Sequence, residues 1–236
     1  MRDLRMTLIL AMANPREVVL VADRRFSTNT GFYDEKNKAT TLHCLDGRAA
    51  IAFTGLAEVR GRFSTTEWML RVLPEASKPD CLLEGTIRRF CSIATRDIAK
   101  LAVPQQRRGI TFLFAGDKYE DPSPRQYFWR VTNSEQEDGK PLINPSTSFE
   151  CFSQRESRSP PLNPWPCFCL AAGVTMGISD REWNQLASLV QGRRPPVALI
   201  EKAVAIIRRA ADSPYSAGSV GKQCTSIVLP SSLLRK

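Results

Sequence analysis

The sequence predicts an α+β fold: a four-layer α-β-β-α sandwich of two mainly antiparallel sheets. Three observations lead there. Strand-like runs and helical stripes follow one another as strands, two helices, strands, two helices and a closing strand. The apolar runs of the first quarter are joined by tight turns, which makes hairpins and therefore antiparallel pairing. Each helical stretch carries one apolar stripe, so each helix pair needs a sheet face to cover, and two stacked sheets bury the rest. The 236 residues are read as a single domain, with residues 1–6 as a leader and 133–166 as a surface insertion.

Taken in order, Met6–Ala13 and Val18–Ala22 are short apolar runs on either side of Asn14-Pro15-Arg16-Glu17, a turn tetrad. Residues 26–37 read as an irregular loop. Ala39–Leu45 and Arg48–Phe53 form a second hairpin around Asp46-Gly47, a strong two-residue turn signal. Leu56, Val59, Phe63, Leu70 and Leu73 fall near helical spacing, and Pro74 is expected to end that helix. Leu83 to Leu101 carries a second stripe, closed by Pro104.

Strands resume at Ile110–Ala115 and Gln126–Val131. Residues 133–166 are polar and rich in Pro and Ser, with one strand expected near Ser148–Phe152. Cys167–Ala172 is strand-like. Ser179-Asp180-Arg181-Glu182 is a capping-box pattern that opens a third helix, and Val197 to about Ala211 is a fourth. Cys224–Leu229 is the closing strand.

Composition excludes several function classes. The net charge of +9 comes mostly as scattered arginine doublets, with no basic run and no aromatic-interleaved patch, so nucleic acid is not the expected partner. The seven cysteines are odd in number and lack a framework spacing. Together with a single histidine, His43, this argues against a metal site and for reduced thiols in the cytoplasm. No segment is long and apolar enough to cross a membrane, and Met6–Ala13 is too short for one.

One stretch poses a chemical question. The strand Val18–Ala22 ends in Asp23-Arg24-Arg25. A carboxylate and guanidiniums at a strand mouth are either a solvated exit or part of a site.

Thr7 opening TLILAMA, VVLVAD with Asp23 and the nearby Arg25, Lys38 in DEKNKATTL, and AIAFTGLAE with Gly55 together resemble proteasome β-type subunits and the wider N-terminal-nucleophile hydrolases. The resemblance continues through ITFLFAGD (Ile110–Asp117) and DSPYSAGSVG (Asp212–Gly221). It covers nearly the whole chain except 133–166.

That resemblance implies a set of roles. Thr7 is the nucleophile once its amine is free, and the α-amine, with an ordinary pKa of about 7.7–8.0, is its own base. Lys38 stabilises the developing alkoxide and Asp23 holds Lys38. Arg25 braces the loop, the Gly55 N–H is the oxyanion donor, and Asp212 with Ser216 orients the amine. A polypeptide substrate, a homo-oligomeric ring and an ATPase partner are implied too, with no metal or organic cofactor.

The chain departs from the family pattern where Met6 precedes Thr7 in place of glycine, and where Gly173-Val174-Thr175 stands for a Gly-Ser-Gly turn. A catalytically inactive, proteasome-like structural subunit is the alternative reading.

Overall fold

Among the described residues, two large antiparallel sheets, two small two-stranded ones and four α-helices make up the fold. The computed structural model describes residues 7–28, 31–34, 37–59, 61–119, 125–155 and 168–230. Residues 1–6, read as a leader, residues 156–166 of the expected insertion, and Cys167 therefore lie outside the described residues.

The first sheet is formed by β1 (Leu8–Asn14), β2 (Glu17–Asp23), β12 (Phe168–Gly173) and β13 (Cys224–Pro230), in the order β12-β1-β2-β13. The second has the order β11-β10-β9-β6-β5. Its members are β5 (Ala39–Cys44), β6 (Gly47–Gly55), β9 (Ile110–Lys118), β10 (Arg125–Thr132) and β11 (Glu150–Arg155). Every pairing within both sheets is antiparallel. The β1–β2 turn is set by the Asn14 side chain, whose Oδ1 accepts the N–H groups of Arg16 and Glu17 at 2.8 and 3.2 Å.

Side-chain alternation distributes the core. On β1, Leu8, Leu10 and Met12 pack with Leu186 and Val190 of α3 (Asp180–Gln191) and with Leu199, Ala203 and Ile206 of α4 (Pro196–Ala211). The intervening Ile9, Ala11 and Ala13 pack instead with Ala50, Ala52, Leu113 and Ala115 of the other sheet. A strand buried on both faces reads as a continuous apolar run, which is what LILAMA is. The far face of the second sheet presents Ile51, Phe53, Phe112 and Phe114 to α1 (Thr65–Ser77) and α2 (Leu83–Ile98). Phe90 of α2 meets Phe112 edge-on at 4.9 Å between centroids.

Several expectations are corrected. The first helix begins at Thr65, and Leu56, Val59 and Phe63 precede it in and around a small hairpin, β7 (Glu58–Val59) with β8 (Phe63–Ser64). Pro74 lies inside α1, which continues to Ser77. The bond Pro74 forgoes is near the exposed Leu70, where water can satisfy the carbonyl, while the buried Trp68, Met69, Val72 and Ala76 hold the helix to its neighbours. Part of the loop expected at 26–37 is paired, β3 (Phe26–Thr28) with β4 (Gly31–Tyr33). The strand expected near Ser148–Phe152 is β11, two residues further on. In the segment before it, Asn133 and Glu135 are buried.

Both halves of the capping box at Ser179 and Glu182 are present. Among the described residues no helix is long and apolar enough to cross a membrane, and no cluster of metal-ligating side chains occurs.

Candidate active site

Thr7 enters β1 from the inter-sheet side. It shares the parity of Ile9 and Ala11, just as Thr54 shares that of Ala50 and Ala52 on β6, and both inter-sheet rows end here. The two residues meet: Thr7 N donates to Thr54 Oγ1 at 2.9 Å, and Thr54 Oγ1 donates to the Thr7 carbonyl at 3.2 Å. That carbonyl also accepts the N–H of Val174 at 3.1 Å. Thr7 is 4% exposed.

Lys38, the residue before β5, extends its ammonium to Thr7. Lys38 Nζ donates to Thr7 Oγ1 and to the Arg25 carbonyl, and lies 3.6 Å from Asp23 Oδ1. It also sits 5.1 Å from the centroid of the Phe26 ring. The side chains of Lys38 and Asp23 are 2% and 0% exposed.

Asp23 ends β2 because its carboxylate has backbone donors there. Leu8 N donates to Oδ2 at 2.7 Å and Arg25 N to Oδ1 at 2.8 Å. Burial pushes the Asp23 carboxyl up, against the pull of Lys38 and of the N–H groups of Leu8, Arg25 and Gly221. Burial likewise pushes the Lys38 ammonium down, against the attraction of Asp23. The pair is poised between mutual attraction and a shared desolvation cost.

Arg25 points away from the threonine. Its Nε and Nη2 donate to Asp34 Oδ1 and Oδ2, both at 2.8 Å, and its Nη1 reaches the carbonyls of Gly218 and Val220 at 3.0 and 3.3 Å. It therefore fixes the 218–221 loop while its own carbonyl receives Lys38. Asp34 is a participant that sequence reasoning missed, since it sits in a stretch read only as loop.

Gly55 closes β6 at φ +101°, and a Cβ there would overlap the Gly109 carbonyl. Asp212 and Ser216 have partners of their own. Asp212 is the C-cap residue of α4, with a 64% exposed side chain that pairs with Lys222 at 2.7 Å. Ser216 is buried and donates to the Ala211 and Ser213 carbonyls at 3.1 and 2.9 Å, shaping its own turn. The structure thus gathers Thr7, Asp23 and Lys38 with the Arg25 backbone. It gives Asp212 and Ser216 partners other than Thr7. Thr54 was missed because a threonine in a strand carries no signal beyond its β-branch.

No protein-family model matches the chain. No curated protein matches it in sequence. Solved structures do match. The Anbu (ancestral beta-subunit) structure from Yersinia bercovieri aligns over 95% of this chain and 81% of its own, with a TM-score of 0.56 at 12% identity. The Anbu (Gly-1) mutant from Hyphomicrobium sp. strain MC1 aligns over 95% and 82%, with a TM-score of 0.55 at 12% identity. BPH from Thiobacillus denitrificans aligns over 94% and 97%, with a TM-score of 0.49 at 14% identity. The likeness to the two Anbu structures is one of fold.

Proposed function

We propose that this chain is a threonine-type peptidase with the four-layer N-terminal-nucleophile architecture, hydrolysing peptide bonds through an acyl-enzyme on Thr7. One observation carries the reading: a buried lysine, held by a buried aspartate, donates to the hydroxyl of Thr7.

With residues 1–6 removed, the Thr7 α-amine takes the hydroxyl proton as Oγ1 attacks the substrate carbonyl carbon. The Lys38 charge stabilises the oxygen as it becomes nucleophilic, and Asp23 keeps that charge in a dry site. The Gly55 N–H is assigned to the developing oxyanion. The C–N bond breaks, the leaving amine takes the proton from the Thr7 ammonium, and water then hydrolyses the ester. Arg25 acts through its carbonyl and through the 218–221 loop.

A polypeptide substrate, a cytoplasmic location, a homo-oligomeric ring and an ATPase partner complete the proposal. The thiols of Cys44, Cys81, Cys91, Cys151 and Cys224 are unbridged, which suits a reducing compartment.

A non-catalytic, proteasome-like subunit is the second reading. It is favoured by Met6 before Thr7 and by the Thr7 N–H being used as an ordinary amide donor to Thr54.

A fluorogenic peptide-amide assay on protein with a free Thr7 amine separates the two. The peptidase reading expects Thr7→Ala to abolish turnover and Lys38→Met to lower kcat by at least about 100-fold. Turnover unchanged in Thr7→Ala would sink it.

A further inference from the structure

Thr54 is the penultimate residue of β6 and is 1% exposed. Its hydroxyl contacts two backbone atoms of Thr7, the nitrogen at 2.9 Å and the carbonyl oxygen at 3.2 Å. Thr111, directly across on β9, directs its own hydroxyl to Thr132 and Ser134 instead. On the third side stands Gly173, where a Cβ would overlap the Thr7 carbonyl and come 3.0 Å from Thr54 Oγ1. The end of β12 is thus shaped to leave room for the Thr7–Thr54 contact. The neighbouring wall is polar as well, since Glu135 accepts the Gly173 N–H at 3.4 Å and is itself held by Arg130 at 3.1 Å.

We propose that Thr54 is a positioning residue for the Thr7 α-amine, an inference that rests on the peptidase reading above. When Thr7 is N-terminal, Thr54 Oγ1 accepts one N–H of the amine and turns the nitrogen lone pair toward Thr7 Oγ1. After the hydroxyl proton arrives, the same oxygen accepts from the ammonium until the leaving amine removes that proton. Thr54 neither gains nor loses a proton.

The assignment fills a gap in the site. The residues that resemblance would use for orienting the amine are engaged with Lys222 or within their own turn, and Gly173-Val174-Thr175 offers no serine. The Thr54 hydroxyl, in direct contact with the Thr7 nitrogen, does the same work by the same chemistry.

The test compares Thr54→Val and Thr54→Ser in assembled protein carrying a free Thr7 amine. Two readouts are taken across pH: kcat and KM for a peptide amide, and acetylation of the Thr7 amine by acetic anhydride, followed by mass spectrometry. Thr54→Val should lower kcat about tenfold with KM within about twofold. Removing an acceptor that favours the ammonium should move both the acidic limb of the rate profile and the acetylation curve to lower pH. Thr54→Ser should restore all three.

Identical rates and curves for the valine and serine variants would overturn the proposal, even if thermal stability differs. A shifted acetylation curve without any peptide turnover would keep the positioning role and reject the peptidase. Turnover with an unshifted curve would do the reverse. Thr54→Ala serves the same comparison if the valine variant does not assemble.

Discussion

Lys38 Nζ lies 3.6 Å from Asp23 Oδ1 in a setting where neither side chain reaches solvent. An ion pair buried this deeply is costly to form and more costly to break, because the surviving partner keeps a charge that water cannot reach. Asp23→Asn or Lys38→Met alone should therefore cost about 3–5 kcal/mol. The double variant should cost clearly less than the sum. Urea unfolding of the four proteins measures the cycle, and additive costs would show that the two groups do not act as a pair.

Gly173 makes a sharper prediction about shape. Its φ of +92° is one that side-chain-bearing residues rarely adopt, and a Cβ would overlap the Thr7 carbonyl. Gly173→Ala should cost about 3 kcal/mol and displace Thr7 from Lys38. Activity should fall more than stability alone explains. A variant with near-normal kcat would mean that the Thr7 carbonyl is free to move.

Arg25 separates charge from geometry. Its two parallel bonds to Asp34 and its reach to Gly218 need a planar fork, which lysine lacks. The side chain is 23% exposed, so Arg25→Lys should cost only about 1 kcal/mol of stability. The larger effect should be on kcat, because the Arg25 carbonyl that receives Lys38 is fixed from both sides by this network. An unchanged kcat in Arg25→Lys would remove Arg25 from the site.

Glu182 reports on pH. Burial would push its carboxyl up, but hydrogen bonds from Arg209 and Ser179 outweigh that and bring it from 4.5 down to about 2. A carboxyl with a depressed folded-state pKa contributes stability above its unfolded pKa and loses it as pH falls through the folded one. Glu182→Gln should thus lower the Tm at pH 7 by a few degrees, about 1 kcal/mol after allowing for solvent screening. The difference should shrink between pH 4.5 and pH 2. A gap independent of pH would mean the loss is one of packing.

Local chemistry made much of this fold legible. The Asn14 turn, the Asp46-Gly47 hairpin and the Ser179–Glu182 capping box each act within four residues, so the sequence specifies them directly. Burial of both faces of β1 was legible as an uninterrupted apolar run. The start of α1 was not, because Leu56, Val59 and Phe63 mimic helical spacing while pairing and packing as a hairpin entry. Pro74 misled for a related reason: tertiary packing of α1 outweighs one missing backbone bond. At the site, Thr7, Asp23 and Lys38 were legible through resemblance. The contacts of Thr54 and Asp34 arise from register and loop closure across 47 and 9 positions, which no short motif records.

The most direct test of the central claim is intact mass with N-terminal peptide mapping of the protein purified from its native host. A mature chain beginning at Thr7, whether by cleavage of residues 1–6 or by methionine removal from a start at Met6, is the predicted result. It would put the nucleophile and its base on one residue, beside Lys38. A chain still carrying residues 1–6 would contradict the peptidase account and leave Asp23 and Lys38 as structural members of an inactive subunit.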